Sequence, residues 1–170
     1  YTESVQPGSP LAIDPAILSK LGLQLSGEMQ DPQLTPLLET HSGEQLFRNL
    51  WGAKDDVSES GVSGVLDERY GFPSVRQARA FVEGGALNTF NSRVPGFSAE
   101  PKVARRGNHA LYFKEASNPD GSMPMMYLFT FQVENIAARV GVAGGSRLSE
   151  KQALNLAWKA HDQVRATLGK

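Results

Sequence analysis

The sequence contains no cysteine among its 170 residues. This absence excludes a disulfide-stapled scaffold and any zinc or iron–sulfur site held by thiolates. No apolar run approaches the roughly 20 residues that a membrane-spanning helix needs. An excess of one charge is lacking as well, because 17 Lys and Arg residues oppose 18 Asp and Glu residues. This balance argues against a general nucleic-acid-binding protein.

The composition that remains is that of an ordinary globular domain, with 40% hydrophobic and 21% charged residues. A chain of this length can bury about two-thirds of its unfolded surface. It can therefore fold without a metal or a disulfide, and we predict no metal site and no cofactor. We also predict a single domain over residues 14–170.

Residues 1–13 have the composition of a linker or tether, because they are mostly polar and contain Pro7, Gly8 and Pro10. The first residue is Tyr1 rather than Met. A processed start followed by a linker fits a periplasmic, secreted or lipid-anchored domain. A boundary inside a longer protein explains the same start equally well. We expect an extracytoplasmic location and an N-terminal lipid tether.

Residues 14–60 are predicted to be helical or irregular. Asp14 is expected to cap a short helix that begins at Pro15. A second short helix is predicted over residues 43–50, because apolar side chains recur there at helical spacing: Leu46, Phe47, Leu50 and Trp51.

Residues 61–170 are predicted to form a sheet–helix core. A strand before Phe72 leads into a helix with a capping box that begins at Ser74. A long amphipathic helix with a second capping box begins at Ser149. Between these helices, three consecutive β-prone runs are joined by turn signals: HALYFKEA, MMYLFTFQV and IAARVGVAG, with turns at Gly107-Asn108, Asn118-Gly121 and Glu134-Asn135.

Short turns between consecutive strands favour antiparallel pairing. The predicted fold class is therefore α+β. We expect an antiparallel sheet of about four to six strands, covered on one face by two helices, with a short helical N-terminal segment.

An apolar cleft between the sheet and the last helix is the first candidate site. Binding pockets are usually apolar with a few polar groups. The predicted ligand-binding residues are Tyr127, Phe129, Trp158 and His161. The alternative is that these side chains pack in the core, as a histidine on the apolar stripe of a helix usually does.

A basic stretch is the second candidate site. Lys102, Arg105, Arg106 and His109 lie together with no acidic residue until Glu115. Such a patch can bind an anion or an anionic partner. The alternative is an edge strand whose charges protect it from aggregation.

No catalytic constellation is evident. The sequence contains neither an HExxH nor a GxSxG motif, and its three histidines are far apart. We therefore predict no catalytic residues and expect that the protein is not an enzyme. An unrecognised hydrolase that uses His109 or His161 remains an alternative.

Several segments together resemble a known group of bacterial extracytoplasmic domains. They are the strand that leads into FPSVRQARAFVEGGAL, then GNHALYFKEA, ENIAARVGVAGG and LSEKQALNLAWKAHDQV, which span residues 61–168. The pattern is similar to mycobacterial LpqN-type lipoproteins, to the PsbP-like fold and to ectodomains of sensor kinases. The resemblance implies a helix-covered antiparallel sheet without catalytic machinery, and it assigns no functional residue.

These observations favour a non-enzymatic extracytoplasmic binding or accessory domain. Its expected partner is a hydrophobic small molecule or an envelope protein, not a nucleic acid. An immunity or inhibitor protein for a secreted toxin is the alternative, because small, slightly acidic, cysteine-free domains without an active site suit that role.

Overall fold

Four helices and seven strands form the described part of the chain. The computed structural model describes residues 9–27, 34–53, 60–87, 101–116, 125–145 and 147–170. The helices are α1 (Pro15–Lys20), α2 (Leu34–Thr40), α3 (Val75–Glu83) and α4 (Glu150–Thr167). The strands are β1 (Leu23–Gly27), β2 (Glu44–Ala53), β3 (Val62–Gly71), β4 (Lys102–Arg106), β5 (His109–Ala116), β6 (Met125–Val133) and β7 (Ile136–Gly144).

All seven strands belong to one antiparallel sheet in the order β1-β2-β3-β7-β6-β5-β4. The predicted α+β class and antiparallel pairing are confirmed. The predicted number of four to six strands was too low, because β1 and β2 come from the part of the chain that was expected to be helical or irregular.

The sheet is covered on both faces, which corrects the prediction of one covered face. On one face, α4 packs with a large core that includes Phe129, Val140 and Ala157. On the other face, α3 packs with Phe81 against Tyr70 of β3. The physical reason lies in the central strands. Both β6 and β7 have apolar side chains on both of their faces, so each face needs a helix to exclude water.

Residues 44–53 form strand β2 instead of the predicted helix over 43–50. The burial pattern explains the error, because Arg48 and Asn49 are buried together with Phe47 and Trp51. The helical spacing of the apolar residues in this segment therefore does not correspond to one buried face of a helix. Both faces of this strand are largely buried, and polar side chains occupy part of the interior.

The predicted helix N-caps and two of the predicted turns are confirmed, although Gln77 contacts the Ser74 hydroxyl and Gln152 donates to the Ser60 carbonyl oxygen instead of completing capping boxes. Asp14 accepts a hydrogen bond from the Ala16 backbone N–H at the start of α1. Ser74 and Ser149 accept hydrogen bonds from the backbone N–H groups three residues later. The turns at Gly107-Asn108 and Glu134-Asn135 connect paired strands, whereas the turn predicted at 118–121 lies outside the described residues.

Residues 9–13, which were assigned to the linker, pack against the domain. Ala12 and Ile13 are buried. The Ile13 backbone N–H donates to Asp67 Oδ2 at 2.8 Å. Gln163 and Thr167 of α4 both donate to the Pro10 carbonyl oxygen. The packed domain therefore includes residues before the predicted boundary at 14, and residues 1–8 of the predicted linker lie outside the described residues.

A row of buried charges crosses three adjacent strands of the sheet, β2, β3 and β7. Arg48 of β2, Glu68 of β3 and Arg139 of β7 are direct cross-strand partners. Arg48 Nε lies 2.8 Å from Glu68 Oε2, and Arg139 Nη2 lies 2.9 Å from Glu68 Oε1. Glu68 and Arg139 are fully buried. One carboxylate therefore holds two guanidiniums in the interior of the sheet.

The protonation states in this row follow from burial and from the neighbouring charges. Burial alone would raise the pKa of Glu68, but the Arg139 and Arg48 guanidiniums outweigh it and hold that pKa below its usual value. Burial, followed by the negative charge of Glu68, raises the pKa of Tyr70 well above its usual value. The Tyr70 hydroxyl therefore stays protonated and donates to Glu68.

We expect Glu68→Gln to destabilise the protein by about 3–5 kcal/mol, because it removes the buried negative charge that compensates both guanidiniums. Urea unfolding at pH 7 measures this change. Glu150→Gln is the matched control, because Glu150 forms an exposed pair with Lys102 at 3.0 Å. That variant should change the free energy of unfolding by no more than about 1 kcal/mol. Equal losses in the two variants would contradict a special role for the buried row.

Candidate functional site

A groove of about 510 Å³ lies at the end of the sheet where the β4–β5 and β6–β7 hairpins turn. We call it the end groove. Three other elements contribute to it: the exposed side of α3, the last turn of α4 and the C-terminal Lys170. Its lining residues are Val75, Arg79, Val82, Glu83, Arg105, Asn108, His109, Ala110, Tyr112, Gln132, Val133, Glu134, Arg165 and Lys170.

The end groove is rich in positive charge. Four cationic side chains line it, from α3, β4, α4 and the C-terminal residue, against the two carboxylates of Glu83 and Glu134. Glu134 Oε1 lies 3.8 Å from Lys170 Nζ, and Arg165 Nη2 donates to the Lys170 carbonyl oxygen at 3.1 Å. The groove also has apolar walls, because Val75, Val82 and Val133 line it. This combination fits an anionic group attached to an apolar body.

The hairpin turns give the groove its shape. Gly107 has φ 61° and begins a two-residue turn, which favours glycine at its first central position. At the equivalent place in the β6–β7 hairpin, Glu134 has φ 54°, which is unfavourable for a residue with a Cβ atom. Asn135 Nδ2 compensates by donating to the Phe72 carbonyl oxygen at 2.8 Å, which anchors this turn to the end of β3.

The predicted ligand-binding residues are all buried. Tyr127 and Phe129 are at most 2% exposed and lie in the core beneath α4. Phe129 stacks on Phe113 with ring centroids 5.3 Å apart. Trp158 and His161 lie on the inner face of α4, with 6% and 1% exposure. Their placement matches the core-packing alternative, and a ligand-binding role for them stays a prediction.

His161 belongs to a cluster of rings beside the end groove. Its ring centroid lies 5.0 Å from that of His109, 5.1 Å from Phe131 and 5.3 Å from Trp158. Neither ring nitrogen of His161 has a hydrogen-bond partner among the described residues. Burial, followed by the neighbouring His109, lowers the pKa of His161 to about 4. His161 is therefore neutral at pH 7, and His109 connects this cluster to the groove.

The strand geometry divides the predicted basic patch between two faces. Lys102 and Arg106 lie on the α4 face, where Lys102 Nζ pairs with Glu150 and the Arg106 guanidinium stacks 4.5 Å above the Trp158 ring. The hydrogen bond with Glu150 raises the pKa of Lys102. Arg105 points to the opposite face, and both Arg105 and His109 line the end groove. An anion- or partner-binding role for the patch stays a prediction.

Sequence reasoning missed Arg79, Arg165 and Lys170 as site residues. The three residues lie far from the basic stretch in sequence, and only the tertiary fold brings them to the same groove. No spacing rule could have found them. The amphipathic pattern of α3 and α4 was the one available signal, because it places Arg79 and Arg165 off the buried stripes of their helices.

The geometry that the hydrolase alternative requires is not found in the described part of the chain. The carboxylate nearest to His161 is that of Asp162, at 3.8 Å, which is beyond hydrogen-bond reach. Within the described ranges, no three His, Asp or Glu side chains converge as a metal site requires. No helix among the described residues combines the length and apolarity needed to cross a bilayer.

We expect His161 to make stability depend on pH. Its pKa is about 4 in the folded state and about 6.5 when unfolded, so the unfolded state binds the extra proton first. The contribution is favourable above pH 6.5 and is lost as the pH falls towards 4. Between pH 7.5 and pH 4.5 the loss amounts to about 2–3 kcal/mol.

Urea unfolding of the protein and of His161→Phe at these two pH values measures the effect. Phenylalanine keeps an aromatic ring among Phe131 and Trp158 but cannot bind a proton. On acidification, the variant should therefore lose about 2–3 kcal/mol less stability than the unchanged protein. An unchanged pH dependence would show that His161 is not the residue responsible.

The similarity of this chain to known proteins is one of fold. No protein family and no curated protein sequence matches the chain. Among solved structures, the extracellular domain of PknH from Mycobacterium tuberculosis is similar, with a TM-score of 0.64 and 14% sequence identity. The similarity covers 98% of this chain and 100% of that one. This chain therefore shares the fold of that domain over almost its whole length.

Proposed function

We propose that this chain is a non-enzymatic, extracytoplasmic binding domain whose end groove holds an anionic amphiphile. The observation that carries the proposal is the convergence of Arg79, Arg105, Arg165 and Lys170 around one groove with valine-lined walls. Guanidinium groups bind phosphate and carboxylate groups strongly, and the adjacent valines offer apolar contact. Compared with a purely hydrophobic ligand, an anionic amphiphile fits these side chains better.

The shared fold supports the extracytoplasmic part of the proposal. The similar solved domain is described as an extracellular domain, and the similarity covers nearly all of both chains. The resemblance of the sequence to LpqN-type and PsbP-like domains points in the same direction and stays a prediction. The toxin-inhibitor function remains the alternative, and no contact in the described residues favours it.

The arrangement suits binding rather than catalysis. Arg105 and Arg79 are exposed and reach the groove from opposite walls, one from the edge strand and one from α3. Asn108 adds a neutral hydrogen-bonding group and Tyr112 adds a hydroxyl, whereas the Gln132 amide nitrogen already donates to the Val75 and Glu134 carbonyl oxygens. The Asn108 amide and the Tyr112 hydroxyl can orient an anionic head.

The direct test is thermal unfolding with octanoyl glycerophosphate as the probe. At about 100 times its Kd, a ligand that binds only the folded state adds about 2.7 kcal/mol of stability. For a domain of this size, that corresponds to a rise in Tm of about 5–10 °C. Octanoyl glycerol, which lacks the phosphate, should give no comparable rise.

The variants Arg79→Ala and Arg165→Ala should each weaken binding of the probe by about tenfold or more, because each removes a charge-assisted hydrogen bond. Arg76→Ala is the matched control, since Arg76 is exposed on α3 but does not line the groove. An equal Tm rise with octanoyl glycerol, or unchanged binding in both groove variants, would contradict the proposal.

A further inference from the structure

Strand β4 forms one edge of the sheet, and no other described strand pairs with its outer side. It is the last strand in the order, and it pairs only with β5 among the described residues. All five of its residues are in regular register with β5, without a bulge. The opposite edge differs, because the pairing of β1 with β2 shifts register between Leu25 and Gly27. A bulge of that kind hinders the addition of a further strand, and β4 has no such feature.

The hairpin register shows which main-chain groups face outward. Arg106 and His109 flank the two-residue turn, so they exchange both main-chain hydrogen bonds. Hydrogen-bonded and non-hydrogen-bonded pairs alternate along an antiparallel ladder, so the main-chain groups of Ala104 and Lys102 also bond to β5. The N–H and C=O groups of Val103 and Arg105 therefore point away from the sheet, where an added strand can bind them.

The side chains of this edge are exposed and basic. Four of the five residues of β4 are exposed, and Ala104 is half-buried. Val103 is 45% exposed, although few large hydrophobic side chains in the described part of the chain are exposed at all. Lys102, Arg105 and Arg106 place positive charge on both faces of the strand. The edge therefore combines outward-facing hydrogen-bonding groups, an apolar side chain and three cations.

We propose that the β4 edge binds an extended acidic segment of a partner protein as an eighth strand of the sheet. Charge complementarity selects this occupant. Pairing with β4 of a second copy would place three cations of one chain beside three of the other, which is unfavourable. Charged side chains also protect an edge from aggregation, but β4 has no bulge or proline and exposes Val103, so a strand of complementary charge can still pair with it.

The register predicts the partner sequence. In an antiparallel arrangement, the added residues lie in turn opposite Arg106, Arg105, Ala104, Val103 and Lys102. Acidic residues suit the two arginines and the lysine, a small residue suits Ala104 and an apolar residue suits Val103. The predicted five-residue core is therefore Glu-Glu-Ala-Val-Glu.

A capped peptide with this core, Ser-Glu-Glu-Ala-Val-Glu-Ser, tests the proposal against the whole protein by amide hydrogen exchange. The Val103 and Arg105 amides should gain protection when the peptide is added, because they point outward. The Ala104 and Arg106 amides, which already bond to β5, should change little. A control peptide with the core Val-Glu-Glu-Glu-Ala has the same composition and charge, but in either strand direction it places apolar residues opposite Arg106 and Lys102, so it should bind about tenfold more weakly.

Main-chain pairing is tested separately from charge. Methylation of the peptide nitrogen at the second glutamate or at the valine removes a donor that faces β4, and it should weaken binding at least about threefold. Methylation at the alanine, whose N–H faces away, should have little effect. In the protein, Val103→Pro removes one outward N–H and should weaken binding similarly, whereas Val103→Ala keeps that N–H and should retain most of it.

Three outcomes would overturn the proposal. Equal binding of the designed peptide and the Val-Glu-Glu-Glu-Ala control would show that only net charge attracts them. Protection centred on residues other than Val103 and Arg105 would place the peptide elsewhere, and no binding at all would leave β4 as a protected edge. The peptide should bind to the Arg79→Ala variant as tightly as to the unchanged protein. Failure of the edge proposal can therefore be distinguished from failure of the groove proposal.

Discussion

The buried carboxylate of Glu68 is the contact on which the arrangement of the sheet depends. Arg48, Glu68 and Arg139 lie opposite one another across three adjacent strands. Because side chains alternate between the faces of a strand, a slip of one residue would move a buried charge to the other face and away from its partner. Apolar residues alone would tolerate such a slip better here, because the neighbouring β6 buries Leu128 on one face and Phe129 on the other. The charge row therefore specifies the register that hydrophobicity leaves open.

This register positions the groove. Once β3 and β7 are aligned, the β6–β7 turn lies beside the end of β3, where Asn135 binds the Phe72 carbonyl oxygen. The same end of the sheet receives the last turn of α4 and the exposed side of α3. The cations around the end groove belong to these elements. Packing in the core therefore sets the relative positions of the cations.

The features that sequence reasoning predicted well are those with short-range physical causes. Helix caps at Ser74 and Ser149 depend on hydrogen bonds across three residues, and hairpin turns depend on two central residues. Strand β2 could not be recognised, because its buried Arg48 is compensated by Glu68, twenty residues later. The covering of both faces was also missed, although the double-sided apolar pattern of β6 carried the signal. The groove required side chains from five elements, namely α3, β4, β5, β6 and α4, and had no counterpart in any local pattern.

Strand β4 was recognised as basic, but its alternation gives the charges different environments. Lys102 and Arg106 contact α4, which holds that helix against the edge of the sheet through Glu150 and Trp158. Arg105 points to the other face and lines the groove, while its main-chain N–H and C=O face outward. The groove and the β4 edge thus share one residue through different atoms. If both are occupied, any effect of one ligand on the affinity of the other passes most directly through Arg105, and linkage requires that it be equal in both directions.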